Sequence, residues 1–319
     1  MAASRAAGYD QHGSMGLLIV VLGQGAWGST LAARFAAQGH RIASWSRRQG
    51  GEPGGLLAQA DLVVVAVAMA GVTDLARRLG PQWPPELPLL SCTKGIDLEQ
   101  LCTPSSIWGQ HLDRRQLVVL SGPNLAAELD QGLPAASVLA SQEQELATRL
   151  QHELSDDVLR LYTNCDPIGT ELAGALKNVM AVAAGVCDGL GLGANAKASL
   201  LCRGLKEMGT VLAELGGQAG TLYGLAGLGD LLATANSALS RNYRYGLHLA
   251  EGLGDLGARE RIGATVEGPA TARAVQALAA RHGLSLPICE QVVALVEGAA
   301  LAGGCVRSLM GRDLTEEEL

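Results

Sequence analysis

The sequence of 319 residues is poor in aromatic side chains, which make up 3% of it and include a single phenylalanine. Alanine and glycine carry much of its 48% hydrophobic share, so close helix contacts built from small side chains are expected in place of a core of large rings. Long apolar runs are missing too. No stretch of ~18 strongly apolar residues is present to span a bilayer, which speaks against membrane insertion and for a cytoplasmic chain. Positive charge is in short supply: the formal net charge is −7 and the pI about 5.4. Overall electrostatics therefore gives no reason to expect nucleic acid or an anionic membrane as partner. Any anionic ligand has to be held by local groups.

The seven cysteines (Cys92, Cys102, Cys165, Cys187, Cys202, Cys289 and Cys305) are scattered, odd in number and never spaced Cys-x-x-Cys. They suggest neither a disulfide framework nor a zinc site, and they read as reduced structural thiols; no metal is expected. Met1 to Ser14 lacks the apolar centre of a secretory signal, and Met15 directly precedes the first strand. Residues 1–15 read as a leader, either a disordered tail or a misassigned start.

What the sequence does have is alternation of strands and helices in its first half. Leu17–Leu22 is a short apolar run suited to a central parallel strand, and Trp27–Gln38 has helical spacing of Leu31 and Phe35 and stops at Gly39. Arg41–Trp45, Asp61–Ala68, Leu87–Cys92 and Gln116–Ser121 read as further strands, and Gln49–Gly55 as a Gly-rich turn. Such alternation predicts an α/β fold with a doubly wound Rossmann-type sheet in residues 16–164. Beyond about Asn164 strand signals fade into long Ala/Leu/Gly-rich helical stretches, which predicts a second, all-helical domain over 165–319.

Gly23-Gln24-Gly25-Ala26-Trp27-Gly28 fits G-x-G-x-x-G between a strand and a helix, the context in which that pattern binds a dinucleotide. Gly23 permits the tight turn, Gly25 lets backbone N–H groups approach a pyrophosphate, and Gly28 lets the helix pack closely. The acid that an NAD site places ~20 residues on is missing. Ser46-Arg47-Arg48 stands there instead, and two guanidinium groups would pair with a 2′-phosphate, favouring NADP(H), with NAD(H) also admissible. The alternative is a pair of solvated surface arginines.

Later polar residues sit where a helix core does not need them. Lys94 follows a strand, and Lys177 and Asn178 interrupt an otherwise apolar helix over Glu171–Val186. An ammonium buried there needs an anion or a task; taken singly, each lysine is more often a snorkelling surface residue. Ser240-Arg241-Asn242 offers a hydroxyl, a guanidinium fork and an amide to a phosphate. Read alone, it could be a helix cap beside a surface charge.

From Leu17 onward the chain resembles the bacterial NAD(P)-dependent glycerol-3-phosphate dehydrogenase family. The carriers are GQGAWGSTLA (Gly23–Ala32), TKGID (Thr93–Asp97), SGPNLAAEL (Ser121–Leu129), LKNVMAVAAGVCDGLGLGANAKA (Leu176–Ala198), RGLKEM (Arg203–Met208), GLAGLGDLLAT (Gly224–Thr234), SRNYRYG (Ser240–Gly246) and VEG (Val266–Gly268). The resemblance implies hydride transfer between NADPH and dihydroxyacetone phosphate, catalysis in a cleft between the two domains, supply of glycerol 3-phosphate for phospholipid synthesis, and a homodimer. It makes Lys177 the catalytic proton donor and acceptor, and gives the substrate Lys94, Gly122, Asn124, Asp230, Ser240, Arg241 and Asn242. It gives the dinucleotide Gly23, Gly25, Ala26, Trp27, Gly28, Arg47, Arg48, Lys94, Ala126, Arg241, Thr265 and Glu267.

The chain departs from the family pattern in a few places. Ala26 and Asn124 stand where serine is common, and Ala68-Met69 where Pro-Ser is common. Gln49–Leu57 is shorter than the usual connection, so a helix and loop beside the adenosine half are expected to be absent. Two further readings stay open on the residues: a related two-domain hydroxy-acid or keto-acid dehydrogenase, and an NADPH-binding sensor without activity.

Overall fold

The computed structural model describes residues 16–313 and Glu316, so the leader expected over 1–15 lies outside the described residues. It divides into two compact units. One runs to Thr93 and adds Ser105–Leu120 and Ala126–Pro167; the other comprises Lys94–Pro104, Ser121–Leu125 and the chain from Ile168 on. No helix among the described residues is long and apolar enough to cross a membrane.

The first unit is built on strands β1 (Leu18–Leu22), β2 (Arg41–Trp45), β3 (Leu62–Val65), β4 (Leu89–Ser91), β5 (Leu117–Ser121), β6 (Ala135–Ala140) and β7 (Leu159–Asn164). They form one sheet in the order β2-β1-β3-β4-β5-β6-β7. The pairs β1·β2, β1·β3, β3·β4, β4·β5 and β6·β7 are parallel. Helices α1 (Ala26–Ala37), α2 (Gly54–Leu57), α3 (Val72–Leu79), α4 (Pro104–Trp108), α5 (Ala126–Leu129) and α6 (Gln144–Leu154) connect them. The unbroken apolar runs of β3 and β5 are buried at every position, as strands covered on both faces require. β2 lies to one side of β1 and β3 to the other, so the strand order reverses at β1. Sheets of this kind bind ligands beyond the strand ends at such a reversal.

The Rossmann-type sheet expected from the sequence is thus present, with two more strands than the sequence signals identified. β6 is largely alanine and serine, and β7 buries Leu159 and Leu161 while exposing Arg160 and Tyr162, a short alternation that marks a strand covered on one face.

The second unit is helical: α7 (Pro167–Gly189), α8 (Gly193–Glu214), α9 (Ala219–Leu222), α10 (Asp230–Ala235), α11 (Arg241–Ala250), α12 (Asp255–Ile262), α13 (Gly268–His282), α14 (Pro287–Val296) and α15 (Ala302–Met310). α7 is buried from Gly169 to Cys187, as a helix apolar on all sides must be. Its Leu172, Leu176 and Val179 join Met208 and Val211 of α8, Val275 and Leu278 of α13 and Val292 and Val296 of α14 in one core. Each such buried side chain contributes about 1.5–3 kcal/mol.

Small residues set how closely these helices approach. A Cβ on Gly185 of α7 would collide with the Tyr243 carbonyl oxygen, and one on Gly246 of α11 with the Val182 carbonyl oxygen. The two backbones therefore touch, as the alanine- and glycine-rich composition leads one to expect. We expect Gly246→Ala to cost at least about 1–3 kcal/mol through overpacking, lowering the melting temperature by roughly 2–4 °C per kcal/mol. Gly220→Ala, where a Cβ meets nothing within 4 Å, should stay within about 0.5 kcal/mol of the parent; equal melting of the two variants would contradict the contact.

Candidate active site

The sheet unit carries the glycine turn. Gly23, at the end of β1, has φ 111°, a conformation glycine adopts without steric cost, and its N–H donates to the Trp45 carbonyl at 2.8 Å. A Cβ on Gly28 would run into the Gly23 carbonyl oxygen, so α1 can pack down on the turn only with glycine there. Gly25 differs, because a Cβ on it would meet no atom within 4 Å. Packing within the chain gives no reason for a bare backbone at that point. An approaching ligand does. Gly25 and Ala26 are exposed, Trp27 is half-buried, and among the described residues no side chain caps α1. Its first N–H groups are left to an outside acceptor, which the helix field favours if it is anionic. These residues fit a dinucleotide pyrophosphate.

Beyond β2, Ser46–Gly50 forms a turn closed by Gln49 N–H to Ser46 O (3.0 Å) and Gly50 N–H to Arg47 O (3.3 Å). The Trp45 indole N–H donates to the carbonyls of Gly50 (3.0 Å) and Gly51 (3.2 Å), holding the turn in place. Arg47 and Arg48 are exposed, and neither engages a carboxylate among the described residues. The short stretch that follows holds only the one-turn helix α2 before β3. Ala126, half-buried, opens α5.

The helical unit brings together Lys94, Lys177 and Asp230. Lys94 Nζ lies 2.5 Å from Asp230 Oδ2 and donates to the Gly122 carbonyl at 3.2 Å. Lys177 Nζ lies 2.9 Å from Asp230 Oδ1 and donates to Thr234 Oγ1 at 2.7 Å, while the Thr234 hydroxyl donates to Asp230 Oδ1 at 3.1 Å. Both carboxylate oxygens are thus engaged. Each ammonium has three N–H donors and two partners among the described residues, which leaves one donor on each lysine for a ligand.

Burial sets the electrostatics. The Asp230 side chain is 2% exposed and that of Lys177 9%. Desolvation pulls the Lys177 amine down to about 8; Asp230 opposes the shift, and Lys94 and Arg241 add to it. Burial pushes the Asp230 carboxyl up, but the two ammonium groups outweigh it and hold it below the usual carboxylate range. An amine poised near neutral pH beside a permanent carboxylate can give and take a proton.

Thr234 was missed in the sequence, although Asp230 and Thr234 stand four apart on α10 and so share a face. Ser240 caps α11, its Oγ accepting from Tyr243 N–H at 3.2 Å. Arg241 is exposed and near enough for its charge to act on Lys177. Asn242 Nδ2 donates to Asn178 Oδ1 and its Oδ1 accepts from Gly268 N–H, both at 2.8 Å. That amide ties α7, α11 and α13 together, and one of its N–H groups has no partner among the described residues. Asn124 is half-buried; Thr265, exposed, and Glu267, half-buried, precede α13.

The chain matches the family described as NAD-dependent glycerol-3-phosphate dehydrogenase, its N-terminus over residues 18–52 and 54–147 and its C-terminus over 166–303. It is 53% identical over 300 residues to a glycerol-3-phosphate dehydrogenase [NAD(P)+] of Synechococcus sp. (strain RCC307), covering 94% of this chain and 99% of that one. A protein of the same description from Synechococcus sp. (strain JA-2-3B'a(2-13)) is 49% identical over 302 residues, 94% of this chain and 95% of its own. Among solved structures, a glycerol-3-phosphate dehydrogenase from Coxiella burnetii superposes with TM-score 0.89 at 31% identity, covering 93% of this chain and 99% of that one.

The open space at Gly25 leads to a separable effect. Gly25→Ala should leave the melting temperature unchanged and raise the Kd for NADPH about tenfold or more, a loss of about 1.4 kcal/mol. Unchanged affinity in a fluorescence titration would contradict the assignment of that space to the ligand.

Proposed function

The chain belongs to the NAD-dependent glycerol-3-phosphate dehydrogenase family, and from that premise we propose that it reduces dihydroxyacetone phosphate to sn-glycerol 3-phosphate with Lys177 as proton donor. The observation that carries the reading is the Lys94–Asp230–Lys177 cluster, in which Asp230 and Lys177 are buried, Lys94 is half-buried and one N–H on each ammonium has no partner among the described residues. When bound, the nicotinamide cofactor supplies the hydride that adds to the carbonyl carbon. Lys177 donates a proton to the oxygen on which negative charge develops, and the free amine regains a proton from solvent. Lys94 stabilises that charge and fixes the orientation of the ketone. Asp230 and Thr234 hold the Lys177 amine in place throughout.

Arg241 and the Ser240 hydroxyl serve the phosphate, with the remaining Asn242 N–H. Their chemistry suits a dianion: a guanidinium fork on a capped helix start supplies positive charge and directed donors together. Gly122 and Asn124 complete the substrate side. On the cofactor side, Gly23, Gly25, Ala26, Trp27, Gly28 and Ala126 serve the dinucleotide, with Thr265 and Glu267. Arg47 and Arg48, with no acid at the end of β2 to accept ribose hydroxyls, favour NADPH over NADH. The product is glycerol 3-phosphate for phospholipid synthesis. On the same family analogy the enzyme is cytoplasmic and acts as a homodimer.

Lys177→Met should lower kcat for ketone reduction by about 10²–10⁴-fold. Lys177→Arg should not restore it, since a guanidinium keeps its proton across the working range. NADPH consumption in a stopped-flow assay reads both, and near-parent turnover by Lys177→Met would remove the proposed acid.

With the Lys177 amine near 8, reduction needs the ammonium and oxidation the free amine. At saturating cofactor, kcat/KM for dihydroxyacetone phosphate should therefore fall as pH rises through about 8, and kcat/KM for glycerol 3-phosphate should rise through the same region. A reduction profile flat to pH ~10, the ordinary lysine range, would contradict it.

A further inference from the structure

Asp188, Lys197 and Tyr243 form a cluster that none of the roles above uses. Asp188 Oδ2 accepts from the Tyr243 hydroxyl and from Lys197 Nζ, each at 2.6 Å. Lys197 Nζ also lies 5.1 Å from the centroid of the Tyr243 ring, within cation–π range. Burial pushes the Tyr243 hydroxyl up to about 12, with Asp188 adding to the shift, so it stays a neutral donor at working pH. Burial raises Asp188 as well, but Lys197 and Tyr243 outweigh that and hold it below the usual carboxylate range. The three groups are a closed arrangement of ammonium, carboxylate and phenol.

Their places in the chain give the cluster its significance. Asp188 ends the helix that carries Lys177, about three turns further on, and Lys197 stands in the first turns of α8. Tyr243 lies in the first turn of α11, two residues after Arg241. Its N–H is held by Ser240 Oγ, its carbonyl rests against Gly185, and its hydroxyl is held by Asp188. Residues two apart on a helix point about 200° away from each other. The side on which Tyr243 is gripped is therefore opposite the side that presents Arg241, and rotation of this first turn would swing the guanidinium. Asn242 and Gly246 fix the helix to its neighbours, and the Tyr243 hydroxyl adds the rotational restraint.

We propose that Asp188, Lys197 and Tyr243 are positioning residues that set Arg241 relative to Lys177 and thereby the preference for a phosphorylated over an unphosphorylated ketone. The inference rests on the assignment of Arg241 to the substrate phosphate. None of the three touches the substrate; they act through Arg241.

Tyr243→Phe keeps the ring over Lys197 and removes only the hydroxyl. It should raise KM for dihydroxyacetone phosphate about three- to tenfold, the equivalent of one ordinary hydrogen bond. At saturating NADPH we expect kcat within about twofold and kcat/KM for unphosphorylated dihydroxyacetone unchanged. Lys197→Met, which leaves the phenol–carboxylate bond in place, should move KM in the same direction by less, and melting curves check that both variants are folded. Equal losses on the phosphorylated and unphosphorylated ketone, or no change on either, would overturn the proposal. Failure of the parent protein to reduce dihydroxyacetone phosphate would instead remove the function on which it rests, so the two outcomes are distinguishable.

Discussion

One carboxylate shared by two ammonium groups is the constraint on which the helical unit turns. A buried lysine and a half-buried one would repel each other and lose water; Asp230, with one oxygen on each, offsets both costs. Removing one member of a buried ionic cluster typically costs about 3–5 kcal/mol because charge is left uncompensated. The same arrangement keeps the Lys177 amine from being simply neutral. Desolvation draws its proton affinity down and Asp230 draws it back, and the balance lies near 8. The proton exchange with an alkoxide proposed for Lys177 needs that balance at physiological pH.

Such a cluster can form only if the surrounding backbones come close, and the composition of the chain serves that need. Gly174 of α7 passes so near Ser121 Oγ and the Lys94 stem that a Cβ would collide with the first and touch the second. Gly185 and Gly246 bring α7 against α11, and a hydrogen-bond chain through Asn178, Asn242 and Gly268 sets their register. Glycine at these contacts is thus part of how Lys177 and the start of α11 are held on neighbouring helices.

Much of this was legible in the residues. The runs around β1, β3 and β5 are unbroken and rich in β-branched residues, and they identified the sheet. β6 and β7 escaped because alanine and serine carry little strand signal and a half-exposed strand gives only a short alternation. A lysine in an apolar helix pointed to Lys177 because burying a charge alone is costly. Its partners were harder to see. Which carboxylate answers it is a matter of tertiary contact, and only the family resemblance singled out Asp230. Thr234 could have been found from its spacing to Asp230. Asn242 could not be resolved between ligand contact and helix tie, because the bonds that engage it come from residues distant in sequence.

The central claim is that the Lys177 amine is a titratable group held by Asp230. Its most direct test is NMR of the protein with ¹³C-methylated lysines, following each amine with pH and assigning Lys177 by its absence in Lys177→Met. The account predicts one resonance with a midpoint near 8 that moves further down in Asp230→Asn, where the opposing carboxylate is gone. A Lys177 midpoint at the ordinary value of about 10.4, unmoved by Asp230→Asn, would contradict it.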